Sequence, residues 1–244
     1  MSTSRTSRST PPRATQGARA RARQEVTAAI KDEARRQLAA DGAAELSLRA
    51  VARELGMVSS ALYRYFPSRD DLLTALIVDA YDSLGAAAEA ADAAFREVGE
   101  EPTPARRWVT VCQAVRGWAL EHPQEYALIY GSPVPGYHAP MSTVPAAARV
   151  GLLLIGIVRE AHEDGGVALP PLTPGVGAEA RRLAADLAPD LPPEVAIALV
   201  AAWAQMHGLV SFEVFGQFNR LVEDRAAFFA HAATGLARGV GLMR

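Results

Sequence analysis

A chain of 244 residues is long enough to build a substantial core and one or two domains. Half of it is apolar, alanine is abundant, and alternating runs of β-branched and aromatic residues are scarce, so the expected fold is all-α. The formal net charge of −2 hides an asymmetry: residues 1–70 carry 13 Lys+Arg against 7 Asp+Glu, a net +6, while the remainder carries 12 against 20, a net −8. A basic head on an acidic body suits a protein whose head alone meets a polyanion, and it excludes a general DNA-packaging protein, which would be basic throughout.

Residues 1–22 are Ser, Thr, Pro, Arg, Ala and Gly with no acid, and are expected to be a disordered basic tail. Two readings stand side by side: a solvated tail, or an arm that reaches phosphates or a minor groove beside a bound helix. No apolar stretch follows its arginines, so it is not a secretory signal. A long helix is expected over Arg23–Ala40, where Val26, Ile30, Ala34 and Leu38 recur every four residues and Gly42 follows as a terminator.

The stretch Leu46–Phe66, LSLRAVARELGMVSSALYRYF, organises the rest. Ser47 is a good N-cap, and Leu48, Val51, Ala52 and Leu55 then share one face of a short helix. Gly56 stands where a helix end favours positive φ. A second short helix is expected over Ser59–Phe66, with Leu62 and Phe66 inward and Pro67 as its stop. Two short helices, a glycine turn and an exposed polar face describe a helix-turn-helix, which offers that face to the major groove of DNA.

Ser68 caps the next helix, with Asp71 completing a capping box and Leu72, Leu73, Leu76, Ile77, Ala80, Tyr81 and Leu84 forming its apolar stripe. A separate alanine-rich helix is expected over Ala86–Val98, then a break at Glu100–Pro104. Thr103 caps a helix to about Glu121 that carries Trp108, Cys112, Val115 and Trp118. Cys112 is the only cysteine, so no intrachain disulfide forms, a reducing cytosol is expected, and an inert buried thiol is favoured over an oxidation sensor. His122-Pro123 interrupts, a short helix follows over Gln124–Tyr130, and GSPVPGYHAP at 131–140 is a structured loop. The helix expected over Pro145–His162 contains the strongest apolar run, Leu152–Val158, whose seven residues fall short of the ~20 that span a bilayer. No membrane partner is therefore expected. Helices over Ala178–Leu187, Pro193–Phe215 and Asp224–Gly239 finish the chain.

The segment Arg23–Leu84 resembles the tetracycline-repressor-like (TetR) family of bacterial regulators, on SLRAVARELGM and ALYRYFPSRDDLL, with Gly56, Leu62, Tyr63, Phe66, Pro67, Ser68 and Arg69 at the family's spacing. The remainder is similar to the WHG-type ligand-binding body of one subgroup. The residues behind that likeness are Trp118, His122-Pro123, Tyr126, Pro135-Gly136-Tyr137 and Trp203-x-x-x-His207-Gly208. The resemblance implies a homodimeric, cytoplasmic repressor: residues 23–70 bind a pseudo-palindromic double-stranded operator, and residues 71–244 dimerise and hold a small apolar or aromatic effector. Two positions depart from the family pattern. Val58 stands where Ser or Thr usually precedes the recognition helix, and Tyr65 where His usually follows Arg64.

For base edges the residue types single out Arg49, Ser59, Ser60, Ala61 and Arg64; for phosphates, Ser47, Tyr63, Tyr65 and Arg69. Arg49 and Arg64 read equally as ordinary solvated helix residues when taken alone. The aromatic and polar-tipped residues Trp108, Trp118, Tyr126, Tyr130, Tyr137, Trp203, Met206 and His207 are the expected pocket lining, although any one of them taken singly is more often plain core. Val195, Leu199, Ala202, Val210, Phe228, Phe229, Ala232 and Leu236 of the last two helices are the expected dimer interface, with burial inside one subunit as the alternative. No cofactor and no metal are expected. The chain has no phosphate-cradling glycine loop, no nucleophile elbow and no paired His or Cys at metal spacing, so it does not read as an enzyme.

Overall fold

The computed structural model describes residues 13–97 and 103–243, with side chains from residue 17 onward. The expected tail's first twelve residues, Val98 and most of the Glu100–Pro104 break lie outside them. Among the described residues the chain is all-α, with ten α-helices, two short 3-10 turns and no strand. It divides into two compact units, residues 1–76 and 77–244.

The first unit holds α1 (Arg13–Asp41), α2 (Leu48–Glu54), α3 (Ser59–Leu62) and the start of α4 (Arg69–Glu97). Helix α1 begins ten residues before Arg23, so the stretch expected to be an irregular tail is helical from Arg13 onward. Ile30, Ala34 and Leu38 of α1 close on Leu48, Val51, Ala52, Leu62, Phe66, Leu72 and Leu73, all of them buried. Local chemistry sets the ends. Ser47 Oγ accepts from the Ala50 amide at 3.4 Å to start α2. Gly56 at φ +64 ends it, with the Met57 amide on the Ala52 carbonyl at 2.8 Å. At α4 the start is capping-box-like: the Asp71 amide donates to Ser68 Oγ at 3.1 Å, and that hydroxyl donates to the Asp71 carboxylate at 2.7 Å.

Helix α4 runs unbroken through Gly85, so no separate helix starts at Ala86. The glycine marks a close approach instead of a break. A Cβ there would stand 2.7–2.9 Å from the Arg149 side chain, which lies across the helix at that point. Arg149 bonds Glu89 at 2.9 and 2.6 Å and the Asp82 carbonyl at 2.8 Å, clamping α4.

The second unit is a bundle around α5 (Pro104–Glu121), with α6 (Pro123–Tyr130), α7 (Val144–Glu163), α8 (Gly177–Leu187), α9 (Pro193–Val214) and α10 (Arg225–Gly239). Trp108, Val111, Cys112, Val115 and Ala119 of α5 are fully buried against α7, α9 and α10. Burial raises the Cys112 thiol to about 12, so it stays protonated and unreactive. By length and composition α7, with the short turn before it, and α9 could each cross a bilayer, which the count of the seven-residue run overlooked because Ala and Gly extend the apolar stretch. In the bundle four of their charged residues are paired: Arg149 with Glu89, Arg159 with Asp190, Glu160 with Arg96 and Arg107, and Glu213 with Arg116.

Arg107 is the most buried cation, forked onto Asp92 at 2.8 and 2.9 Å and bonded to Glu160 at 2.5 Å. Removing Asp92 leaves the buried guanidinium with Glu160 alone, so Asp92→Ala should cost ~2–3 kcal/mol in urea denaturation, below the full penalty for a stranded charge. Replacing both, as Asp92→Leu with Arg107→Met, should recover most of that loss.

Candidate DNA-binding face and ligand cavities

The recognition segment is shorter and less regular than Ser59–Phe66. After four helical residues the Tyr63 amide still reaches the Ser59 carbonyl at 3.1 Å, but those of Arg64 and Tyr65 turn to residues three back, at 3.2 and 2.8 Å. Val58 supplies extended backbone before it and no side-chain cap, and Ser59 does not cap it either. Arg49, Ser59, Ser60, Tyr63 and Arg64 are exposed around this segment, with Ala61 half-buried among them. Small and hydroxyl residues flanked by arginines can enter a groove and bond both base edges and phosphates.

Three of the expected contact residues have other work. Ser47 spends its hydroxyl on the α2 cap. Tyr65 is half-buried, with the Arg23 guanidinium 5.1 Å from its ring centroid, and the same guanidinium donates to the Arg64 carbonyl at 3.3 Å. Arg69, expected on a phosphate, is turned inward: it donates to the carbonyls of Leu46 at 3.1 Å, Ala43 at 2.7 Å and Ala44 at 3.1 Å. Those carbonyls sit in the chain entering α2. Arg69 therefore positions the helix-turn-helix. No local spacing could have revealed the Arg23 or Arg69 contacts, since their partners lie more than twenty residues away.

In the second unit the expected pocket residues separate into groups. Trp203, His207, Tyr130 and Tyr126 come together: Tyr130 stacks on His207 at 4.1 Å, Trp203 meets it edge-on at 5.1 Å, and Tyr126 lies 5.1 Å from Tyr130. The Tyr126 hydroxyl donates to the His207 carbonyl at 3.0 Å and pairs with Ser211. Tyr81, which the sequence placed only in an apolar stripe, joins them edge-on to Tyr130 at 5.9 Å. Trp108 and Met206 are fully buried in the core. Trp118 is core too, its indole donating to Ser83 at 2.9 Å and its ring 5.1 Å from His122.

Two apolar clefts flank this cluster. One, of about 320 Å³, lies between α7, α8 and α9 and is lined by Leu152, Ile155, Leu183, Leu199 and Trp203. The other, of about 550 Å³, is lined by Tyr81, Ile129, Val134, Tyr137 and Val144, with Ala147 and Ala148 shared between the two. The ring series Trp203–His207–Tyr130–Tyr81 thus links one cleft to the other. His207 is the unusual member. It is buried, and neither ring nitrogen has a hydrogen-bond partner, which costs about 1–3 kcal/mol per stranded group. Burial lowers it to about 4 and raises the neighbouring Tyr126 phenol to about 12, so both are neutral near pH 7.

The expected dimer residues need correction. Val195, Leu199, Ala202, Val210, Phe229 and Leu236 are buried inside the subunit's own core, because the most regular apolar stripe of each helix faces inward. The large apolar side chains that stay exposed here are Trp203 and Phe212 on α9, Phe215 just past its end, and Phe228 on α10. A groove of about 680 Å³ runs between the two helices, lined by Ala198, Ala201, Gly208, Phe212, Phe228, Ala232 and Gly235. Of the expected set, Phe228 and Ala232 belong to this face, and Ala202 and Leu236 reach its floor.

A helix-turn-helix head with an exposed polar segment, joined to an all-α body with apolar clefts, defines the class of a DNA-binding regulator. The family model described as "Bacterial regulatory proteins, tetR family" matches residues 30–76, and that described as "Tetracyclin repressor-like, C-terminal domain" matches residues 108–236. The HTH-type transcriptional regulator Rv1816 of Mycobacterium tuberculosis is 41% identical over 224 residues, covering 83% of this chain and 86% of that protein. Mb1846 of Mycobacterium bovis, named in the same way, matches to the same extent. Among solved structures, the regulatory protein SCO4313 superposes at a TM-score of 0.70 with 36% identity, covering 88% of this chain and 97% of that one. A Rhodococcus sp. RHA1 protein of unknown function does so at 0.67 with 25% identity, covering 88% and 95%. The chain belongs to the TetR family of transcriptional regulators, a family of DNA-binding proteins and not of enzymes.

Arg69→Ala should lower the stability of the head by ~2–3 kcal/mol, since three carbonyls lose a charged donor. Its DNA binding should weaken with no change in the slope of affinity against salt; a slope flattened by about one unit would return Arg69 to a phosphate. The buried neutral His207 gives the body an acid-sensitive stability. The unfolded chain takes up a proton below about 6.5 while the folded one resists until about 4, so stability is full above 6.5 and is lost as pH falls through that window, by at most ~3 kcal/mol. Urea midpoints at pH 7 and 4.5 should therefore differ more for the wild type than for His207→Phe.

Proposed function

We propose that the protein is a cytoplasmic repressor that binds a pseudo-palindromic operator as a homodimer and releases it when a small apolar or aromatic effector fills the body. The observation that carries this reading is the pair of clefts joined through an unsatisfied His207. Apolar walls with a few polar groups are what small-molecule sites consist of. The groove between α9 and α10, rimmed by exposed Phe212 and Phe228, supports a self-complementary contact in which two helices from each subunit form a four-helix interface. Arg49, Ser59, Ser60, Ala61, Tyr63 and Arg64 are the proposed contacts to bases and backbone.

The test starts from selection of a duplex out of randomised DNA, followed by gel-shift and light scattering. One duplex with two related half-sites should be retained by two subunits. Phe228→Glu should give a monomer that no longer holds it. A panel of neutral aromatic and aliphatic compounds should contain members that raise the melting temperature and dissociate the complex, and Leu152→Trp, which fills the smaller cleft, should weaken that response. Retention of the duplex by a monomer, or a panel that stabilises nothing, would overturn the reading.

A further inference from the structure

The described side chains in the first half of α1 have no core to pack against. Residues 13–25 read RATQGARARARQE, and every described side chain from Gly17 to Glu25 is exposed. Alanine, arginine and glutamine favour the helix, and no acid occurs before Glu25 to balance six arginines. A segment that buries nothing and carries one sign of charge gains its stabilisation from a partner of opposite sign.

Its direction is fixed at one point. The Arg23 guanidinium sits 5.1 Å from the Tyr65 ring centroid and donates to the Arg64 carbonyl, which seats α1 at the far end of the recognition segment. Arg19, four residues earlier, lies on the same helix face and ~6 Å further along the axis. Arg21 projects from the other side, and the helix continues to Arg13, ~15 Å past Arg23.

We propose that residues 13–23 of α1 form a second DNA-binding element, which lies along the sugar–phosphate backbone of the duplex flanking the operator and pairs Arg19 and Arg21 with phosphates. This rests on the reading of the helix-turn-helix as the element that enters the groove. Duplex DNA presents a charge about every 1.7 Å, so an overhang of this length meets several phosphates outside the base pairs that α3 reads. The contact carries no sequence information; it adds affinity and register.

The experiment uses the full chain and a duplex selected from randomised DNA, made in two lengths: cut flush at the recognised bases, or extended by about half a helical turn at each end. On the extended duplex, Arg19→Ala with Arg21→Ala should flatten the plot of log affinity against log salt by roughly 0.9 for each arginine removed. On the flush duplex the variant and the wild type should coincide. Arg19→Lys with Arg21→Lys should restore the slope, because phosphate neutralisation needs charge and not a guanidinium. These side chains are exposed, and matching circular dichroism of the variants verifies the fold. A specific complex whose slope is the same in the alanine variant, or whose wild-type affinity ignores the flanks, would overturn the arm alone. Failure to select any duplex would overturn the helix-turn-helix reading and the arm with it.

Discussion

The head depends on one guanidinium. Arg69, at the first position of α4, gathers the carbonyls of Ala43, Ala44 and Leu46, and so ties the start of α2 to the start of α4. Segment α3 is four residues long, far below the length at which a helix holds itself in water. Its geometry is imposed by its neighbours: Leu62 and Phe66 anchor it in the core, the Gly56 turn delivers it, and Arg69 fixes the loop that leads into α2. With this scaffold rigid, the exposed residues can be chosen for what they touch, and the segment tolerates Val58 in place of a capping side chain.

The body follows a different rule, in which charge pairs lock helices and neutral polar groups are left over. Arg107, Arg116 and Arg149 each fork onto a carboxylate from another helix, and each pair fixes a crossing that apolar packing alone leaves free to slide. Arg149 does so across Gly85, where absence of a Cβ lets α7 lie against α4. These pairs are satisfied, so they resist change. His207 is not, and it sits in the ring series whose ends line the two clefts. The aromatic cluster around His207 is therefore the part of the body with unmet hydrogen-bonding capacity, while the crossings onto α4 and α9 are held by satisfied ion pairs.

How much of this was legible depended on distance along the chain. Features set by neighbours three or four residues away are readable: the Ser47 and Ser68 caps, the Gly56 turn, the break between α5 and α6 at His122-Pro123, and the buried faces of α1 and α5. Features set by remote partners were not. Gly85 looked like a helix boundary because its reason is the side chain of Arg149, sixty-four positions on. Arg69 looked like a phosphate contact because its acceptors are backbone carbonyls that any sequence supplies. The expected interface residues of α9 and α10 divide: Val195, Leu199, Val210 and Phe229 face the subunit's own core, while Ala202, Phe228, Ala232 and Leu236 border the outer groove. Period alone shows that a face is buried, and not whether its own subunit or a second one buries it. The exposed phenylalanines 212 and 215, which lie off the buried stripe, are the better signal for an outer surface.

The same logic bears on the charge asymmetry. A net +6 over residues 1–70 is spent unevenly: Arg69 and Arg23 serve the fold, Arg35 and Arg36 pair with Asp32 and Glu33, and Arg53 pairs with Glu54. Arg49 and Arg64 flank the recognition segment, and Arg19 and Arg21 lie on the extension of α1. Among the described residues, arginines with no partner inside the head thus stand in two places, around α3 and on the extension of α1. Arg23, held between Tyr65 and the Arg64 carbonyl, joins them. A charged helix whose described side chains from Gly17 to Glu25 are all exposed gains little from its own subunit, and phosphates beside it would offset the cost of ordering it.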